Sequence, residues 1–238
     1  MATSGTYAFT MTRDDIIGAA LRLTTRFSAD DVIPALEITN CAQALDLLCK
    51  EMITEGLPLW CVKQYAVPMV ANTATYNLST ITGTTLPQKV LDAFVRTPSG
   101  NDTILTPISR YDYNMLGMKT AQGTPNQYYY DPQLGAGVLT VYNVPIDATN
   151  TIYVTVQRQI QDAGIATSNP DFPQEAFRML KWCLADEVAL DYGTPERVMM
   201  KIERRAAQLR DGFFAYEQEN APVVFSPNMS QQGSHYNG

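Results

Sequence analysis

Apolar residues recur along this chain at two spacings, and the switch between them divides it. From residue 13 the spacing is helical: Ile16, Ala20, Leu23 and Phe27 recur three or four apart. They follow Thr12 and Asp15, set three residues apart in the pattern of a reciprocal cap, which predicts a first amphipathic helix over 13–27. A short acidic link at 28–33 leads to Pro34, which suits the first turn of a second helix running to Gly56, a natural C-terminal stop. At 100° per residue, Ile38, Cys41, Ala42, Leu45, Leu48, Cys49 and Met52 form one stripe, while Leu36 and Leu47 fall on the opposite, otherwise polar face. Isolated leucines on a solvated face are common, yet these two are what a subunit contact would use.

From residue 57 the period becomes two. Residues 60–70 and 75–78 read as a first hairpin around 71–74, with Pro68 marking a sheet edge. Residues 90–97 and 103–108 flank Pro-Ser-Gly-Asn-Asp at 98–102, the strongest turn signal in the chain, and predict a second hairpin. Ser109 can cap a short helix carrying Tyr113, Met115 and Leu116 and ended by Gly117. Residues 123–131 read Gly-Thr-Pro-Asn-Gln-Tyr-Tyr-Tyr-Asp: Gly and Pro break any helix, and three tyrosines suit a pleated strand. Alternation puts Tyr128 and Tyr130 on one face and Tyr129 on the other, so the strand can bury rings on both sides, as an interior strand does. Bases stacking on such a platform would need a basic surround, which is missing. A turn at 132–137, a strand at 138–143, another turn and a strand at 151–158 complete a set spaced for an antiparallel sandwich or small barrel.

Residues 159–172 read as a polar loop, after which helical spacing returns and Pro173 opens a third long helix through Tyr192. Its apolar positions, Phe177, Leu180, Leu184 and Val188 with Met179, Trp182 and Cys183 beside them, make too broad a stripe for a surface helix, so it should lie between other helices. Gly193 and Pro195 break the chain, and Val198, Ile202, Ala206, Leu209 and Phe213 define the core face of a fourth helix ending near Glu219. On that helix Arg197, Lys201 and Arg204 share one flank and Glu196, Glu203 and Glu217 the other; a basic flank is a solvated face or a contact. Residues 1–11 read as an extended arm. Residues 220–238 are rich in Ser, Gln, Asn and Gly with isolated Val223, Val224 and Phe225, and such a tail is expected to be disordered unless a partner holds it. The fold class is therefore α+β: a helical bundle formed by N- and C-terminal helices (1–56 and 159–219), a central antiparallel β-rich domain (57–158), and a flexible tail (220–238).

Composition narrows the chemistry. At 238 residues the chain should bury roughly 70–75% of its unfolded surface without disulfide or metal. A net charge of −7 argues against tight hold on nucleic acid through phosphates, though not against DNA sliding past. There is no apolar run near 18 residues and no signal-type N-terminus, so no membrane anchor is expected. The four cysteines form no Cys-x-x-Cys pair, and Cys41 and Cys49 lie about 12 Å apart along a helix axis, so reduced buried thiols are expected. The single histidine, His235, sits in the tail, which removes the usual Ser-His and Cys-His nucleophiles and typical zinc sites; no cofactor, metal or catalytic residue is assigned. Gly135 and Gly137 are too few for a phosphate cradle and lead into a strand. The carboxylate pairs Asp14–Asp15, Asp30–Asp31 and Asp186–Glu187 leave one enzymatic alternative, a peptidoglycan-degrading glycosidase-like hydrolase, although neighbours on a helix diverge by 100° and make poor dyads.

Seven segments occur in an order that carries a resemblance. They are Thr-Arg-Asp-Asp-Ile-Ile-Gly-Ala-Ala-Leu at 12–21, residues 47–60 with Glu-Gly-Leu-Pro-Leu-Trp, Pro-Ile-Ser-Arg-Tyr-Asp-Tyr at 107–113, the 123–131 stretch, Val-Tyr-Asn-Val-Pro at 141–145, Val-Gln-Arg at 156–158 and Phe-Pro-Gln-Glu-Ala-Phe at 172–177. Taken together the chain resembles the head-to-tail adaptor, or tail accessory and head-completion, proteins of short-tailed bacteriophages. The resemblance implies a virion protein at the head-tail junction, assembled in the host cytoplasm. It would form a ring of twelve copies docked beneath the portal protein, with a C-terminal tail reaching onto the portal and a distal surface receiving the tail nozzle. DNA would pass through the lumen without specific binding. Closing such a ring takes two different patches per subunit. The candidate interaction residues are Leu36 and Leu47, the Arg197, Lys201 and Arg204 flank, and Val223, Val224 and Phe225 in the tail.

Overall fold

The computed structural model describes residues 5–55, 58–81, 83 and 87–217, so the expectations for Gly56 and for the tail lie outside the described residues. The protein is α+β, with six helices and two mainly antiparallel sheets among the described residues. Helix α1 (Arg13–Leu23) starts on the reciprocal cap: Thr12 Oγ1 accepts from the Asp15 amide at 3.3 Å and Asp15 Oδ2 accepts from the Thr12 amide at 3.0 Å. It ends four residues earlier than its periodicity suggests. Thr24 donates its hydroxyl back to Leu21 O at 2.7 Å, Thr25 turns left-handed at φ 63°, and Phe27 packs from the following turn with its ring edge-on to Tyr192. Helix α2 (Ala35–Glu55) buries Cys41, Ala42, Leu45, Leu48, Cys49 and Met52, the stripe read from sequence, with Ile38 at its margin.

A 3-10 turn at Leu59–Cys61 leads into β1 (Val62–Pro68), and β2 (Thr75–Asn77) runs into the one-turn α3 (Leu78–Ile81). The first hairpin expected here does not form: β1 pairs with β8 (Thr151–Arg158), whereas β2 pairs with β7 (Ala136–Tyr142) in the other sheet. Strand β3 (Pro87–Arg96) and β4 (Asp102–Ile104) do form the second hairpin across the 98–102 turn. The strand expected over 103–108, however, is cut at Leu105. From there β5 (Thr106–Pro107) joins the second sheet, parallel to β6 (Gln127–Gln133). Leu105, almost fully buried, is the crossing point; its amide donates to Ala93 O and the next amide, of Thr106, donates to Asn126 O, each at 2.9 Å. Ser109 caps α4 (Arg110–Met115) reciprocally with Asp112.

The sheets have the strand orders β1-β8-β3-β4 and β2-β7-β6-β5. Pro68 therefore closes an edge strand, where its missing N–H costs nothing. The inner faces of the two sheets share one core: Val67, Ala93, Val95, Ile152, Val154 and Val156 from the first sheet meet Tyr76, Tyr128, Leu139 and Val141 from the second. Strand β6 lies between β7 and β5, so the tyrosine strand is interior, and its rings divide as alternation requires. Tyr128 is 3% exposed, and Tyr130 packs on the same core and donates its hydroxyl to Pro87 O. Tyr129 faces the other way, stacked on Tyr113, its hydroxyl accepting from Arg110 Nε at 2.6 Å. The β6–β7 turn is tighter than expected. Pairing continues to Gln133 and Ala136, and a Cβ at Gly137 would fall 2.4 Å from the Tyr130 hydroxyl, so only glycine admits the ring.

Helix α5 (Phe177–Ala189) follows a 3-10 turn at Gln174–Ala176, and α6 (Glu196–Tyr216) follows Pro195. Helix α5 stops three residues before Tyr192, where the Thr194 amide closes back onto Ala189 O at 3.1 Å. As its broad stripe requires, α5 contacts α1, α2 and α6, and one buried cluster draws on all four helices. The 159–172 segment is less polar in its role than in its composition: Ile160 and Ala163 are buried in that cluster, and Asp171 ties it to the sheets. Arg158, at the end of β8, makes a two-pronged ion pair with Asp171, whose Oδ2 also accepts the Gln161 amide at 3.1 Å and whose backbone oxygen accepts Trp60 Nε1 at 3.1 Å. Trp60 in turn packs on Phe172 and Phe213.

Two stability predictions follow from these contacts. Asp171→Ala strands a mostly buried guanidinium and is expected to cost about 2 kcal/mol in urea unfolding, against less than about 0.5 kcal/mol for Asp162→Ala, which removes a pair exposed to solvent. Gly137→Ala is expected to cost about 1–3 kcal/mol by displacing Tyr130 from Pro87, and Tyr130→Phe should relieve part of that loss in the double variant.

Candidate interaction surfaces

Of the candidate residues, Val223, Val224 and Phe225 lie outside the described residues. Leu36 and Leu47 project from α2 into solvent at 70% and 68% exposure; eleven residues is three helical turns, so they share a face about 16 Å apart along the axis. Arg197, Lys201 and Arg204 are exposed on α6, and none of the three makes an ion pair among the described residues. The two groups are not brought together. Helix α6 meets α2 through Arg210, which pairs with Glu51 at 3.2 Å and, through Nε, with Glu55 at 2.6 Å; neither the leucines nor the three cations take part.

At the end of the sheets away from the helices, the connecting loops are bonded to one another through their backbones. The Met69 amide donates to Asn150 O at 3.2 Å, Asn72 to Pro145 O at 2.8 Å, and Gly123 and Val144 exchange bonds with Val144 O and Ala121 O at 2.9 Å each. Gln122 Nε2 adds a bond to Asn72 Oδ1 at 2.6 Å. Backbone groups satisfied in this way hold loops in place whatever their side chains are. Val70 and Ile146 stand exposed on this rim. Periodicity had no means of finding it, because it depends on which loops the strand order gathers.

The outer face of the first sheet carries an aromatic pair that sequence reading passed over. Phe94 and Tyr153, directly opposed on β3 and β8, stack at 5.2 Å with ring planes 7° apart. Arg96 lies 5.2 and 4.8 Å from the two ring centres and is held by Asp102 through two bonds of 2.7 Å. A guanidinium already occupies the ring faces, so the pair reads as a cross-strand clasp more than as a stacking surface for bases.

Titratable groups gather in two clefts. A cleft of about 560 Å³ beside α2 and α5 contains a short relay in which Tyr192 donates to Glu37 Oε2 at 2.5 Å and Cys41 Sγ lies 3.5 Å from the tyrosine oxygen. Burial pushes the Cys41 thiol above its ordinary value, and pushes Cys49 up to about 12 and Cys61 and Cys183 to about 11. All four are free, buried and protonated, as expected, which makes them inert packing groups. A second cleft, of about 320 Å³, lies among α2, α5 and α6 and is lined by Glu51, Glu55, Asp186, Glu187 and Glu203 around Arg210. Burial raises the Asp186 carboxyl above the usual carboxylate range, with Glu203 and then Glu187 pushing the same way and Arg210 opposing. Of the other sequence-level pairs, Asp14 is bound to Arg13, Asp15 serves as the α1 cap and Asp31 accepts the Ser28 amide at 2.6 Å. Among the described residues no group of three or more His, Cys, Asp or Glu side chains is arranged to hold a metal ion.

The raised Asp186 fixes the sign of a pH dependence. An acid that binds its proton more readily folded than unfolded loses stability for the fold as pH rises through its folded value and restores it as pH falls toward 3.8. Asp186→Asn is therefore expected to raise the melting temperature at pH 7 and to flatten the rise in stability that the natural chain shows on mild acidification. Thermal melts across pH 4–7 measure it; a variant no more stable than the natural chain at pH 7 contradicts the assignment. No protein-family model matches the chain and no curated protein matches it, so the roles of these surfaces rest on the residues themselves.

Proposed function

We propose that the protein is a structural, non-enzymatic virion component: a head-to-tail connector adaptor that docks as a ring of twelve copies beneath the portal protein, extends and helps seal the DNA channel, and receives the tail nozzle or other tail proteins. In this reading the terminal helices form a bundle and the β-rich centre is the arm that carries contact loops. The observation that carries it is the pair of unlike patches on separate helices, unpartnered among the described residues, the leucine face of α2 and the cationic flank of α6. A ring closes through heterologous contacts, in which one patch of each copy meets a different patch of the next. The backbone-bonded loop rim supports the same reading, since a tail platform needs loops with fixed positions. An acidic chain also suits a conduit along which DNA moves without adhering.

Mixing the purified protein with its cognate portal and imaging the product is expected to show a second coaxial ring, and absence of binding over a range of salt overturns the proposal. Leu36→Glu with Leu47→Glu should leave the fold unchanged and abolish the ring; a ring that forms regardless removes the α2 face from the interface. Deletion of residues 220–238 should weaken portal docking, and docking at full strength after deletion would remove the tail from that contact.

The acidic cleft favours one second reading, the glycosidase-like hydrolase acting on peptidoglycan, because a carboxyl with a raised pKa among other carboxylates is what a general acid requires. A cell-wall clearing assay decides it: clearing by the natural chain that Asp186→Asn abolishes supports the hydrolase, and no clearing removes it.

A further inference from the structure

The two clefts lie end to end along one seam. Their lining runs from Glu37 to Ala44 and then from Leu48 to Glu55 on α2, while on the α5 side it runs from Tyr192 back to Val188 and then from Glu187 back to Cys183. Together they form a valley between antiparallel stretches of chain. Leu36 and Leu47 fall within about 40° of Asn40 on the α2 wheel, so the exposed leucine face is one bank of this valley. The other bank carries Asp186, Glu187 and Asp191, none of which makes an ion pair among the described residues. The cations in the valley do not answer them: Arg210 is already paired with Glu51 and Glu55, and Arg26 lines only the Glu37 end.

The unanswered charges also stand at unfavourable helix ends. Asp186 and Glu187 lie in the last turn of α5 and Asp191 just beyond it, by the negative pole of the helix dipole, and that turn holds no basic residue. Arg197, next to Glu196 in the first turn of α6, stands by a positive pole, with Lys201 one turn on. Only six residues separate Asp191 from Arg197, yet the two do not pair within the chain. A surface of opposite charge relieves both placements at once, and each supplies what the other lacks. Arg197, Lys201 and Arg204 span about 10 Å of α6, the acidic bank spans about 8 Å of its own segment, and Met200, exposed beside the cations, is an apolar knob for a leucine bank.

We infer that the α6 flank of one copy seats in this valley of another, with Arg197, Lys201 and Arg204 meeting Asp186, Glu187 and Asp191 and with Met200 lying against Leu36 and Leu47. That the contact repeats from copy to copy and closes rests on the ring reading; that it forms does not. Sedimentation of the full chain, with no portal present, tests it. The natural chain is expected to associate at low ionic strength and to dissociate as salt rises toward about 0.5 M. One variant reverses the flank (Arg197→Glu, Lys201→Glu, Arg204→Glu) and another reverses the bank (Glu187→Lys, Asp191→Lys). All five positions are exposed, and the new charges at 187, 191 and 197 suit their helix ends, so neither melting temperature should fall. Each variant alone is expected to associate at least about tenfold more weakly than the natural chain, and an equimolar mixture to recover association, since every contact between unlike copies then joins opposite charges. A natural chain that stays monomeric at low salt, a reversed variant that associates as well as the natural chain, or a mixture no stronger than either variant overturns the inference. Recovered association that grows beyond a dimer supports the contact and the ring alike; recovery that stops at a dimer supports the contact and removes the ring reading.

Discussion

The ion pair between Arg158 and Asp171 is the joint on which this architecture turns. Two cores have to coexist in one chain, one built from helices at both ends of the sequence and one from the strands between them. Strand β8 must stop and the chain must re-enter the helical layer at a fixed angle. Asp171 sets that angle by taking both prongs of the guanidinium, an amide from its own loop and the indole N–H of Trp60. The charge-assisted bonds are directional, while the packing of Trp60 on Phe172 and Phe213 supplies the apolar area beside them. A pair with 16% and 22% of its side chains exposed keeps partial hydration, so its worth lies in geometry more than in net attraction.

How much of this was legible in the sequence depended on how local each cause was. The reciprocal cap of α1, Ser109 as the cap of α4, the α2 stripe, the limits of β8, the turn of the second hairpin and the division of the tyrosine rings follow from local sequence, and the structure agrees with each. The errors concern partners far apart in sequence. Residues 62–68 and 75–77 look like a hairpin because their turn is short, but β1 pairs over seven residues with β8, more than eighty residues later, and β2 over three with β7, more than sixty later, in separate sheets. Over 103–108 the apolar residues Ile104 and Leu105 adjoin, but that the chain changes sheets between them depends on partners at Ala93 and Asn126, which no local pattern names.

The surfaces divide along the same line. Leu36 and Leu47 stood out because a helix wheel alone shows them off the stripe, and the cationic flank of α6 was visible for the same reason. The acidic cleft was not, because its carboxylates come from three helices and only packing gathers them. Asp186 and Glu187 had been noted as neighbours, yet what perturbs Asp186 first is burial and then Glu203, from another helix. The apolar groove beside Gly212, between α5 and α6, was equally hidden, since a glycine in an amphipathic helix looks neutral until it is seen that none of the described residues comes within 4 Å of a Cβ built there.

The crossing at Leu105 gives the strand region a mechanical character. One buried residue is bonded to the first sheet through Ala93, and the next is bonded to the second sheet through Asn126, with no slack chain between them. A pull applied to either sheet is transmitted to the other within a single peptide unit. The two layers are therefore coupled at one edge, where β4 and β5, the outermost strands of their sheets, meet. Sliding at that edge has to break the Leu105 bond to Ala93 or the Thr106 bond to Asn126, so the strands most free to fray are tied down in both sheets at once.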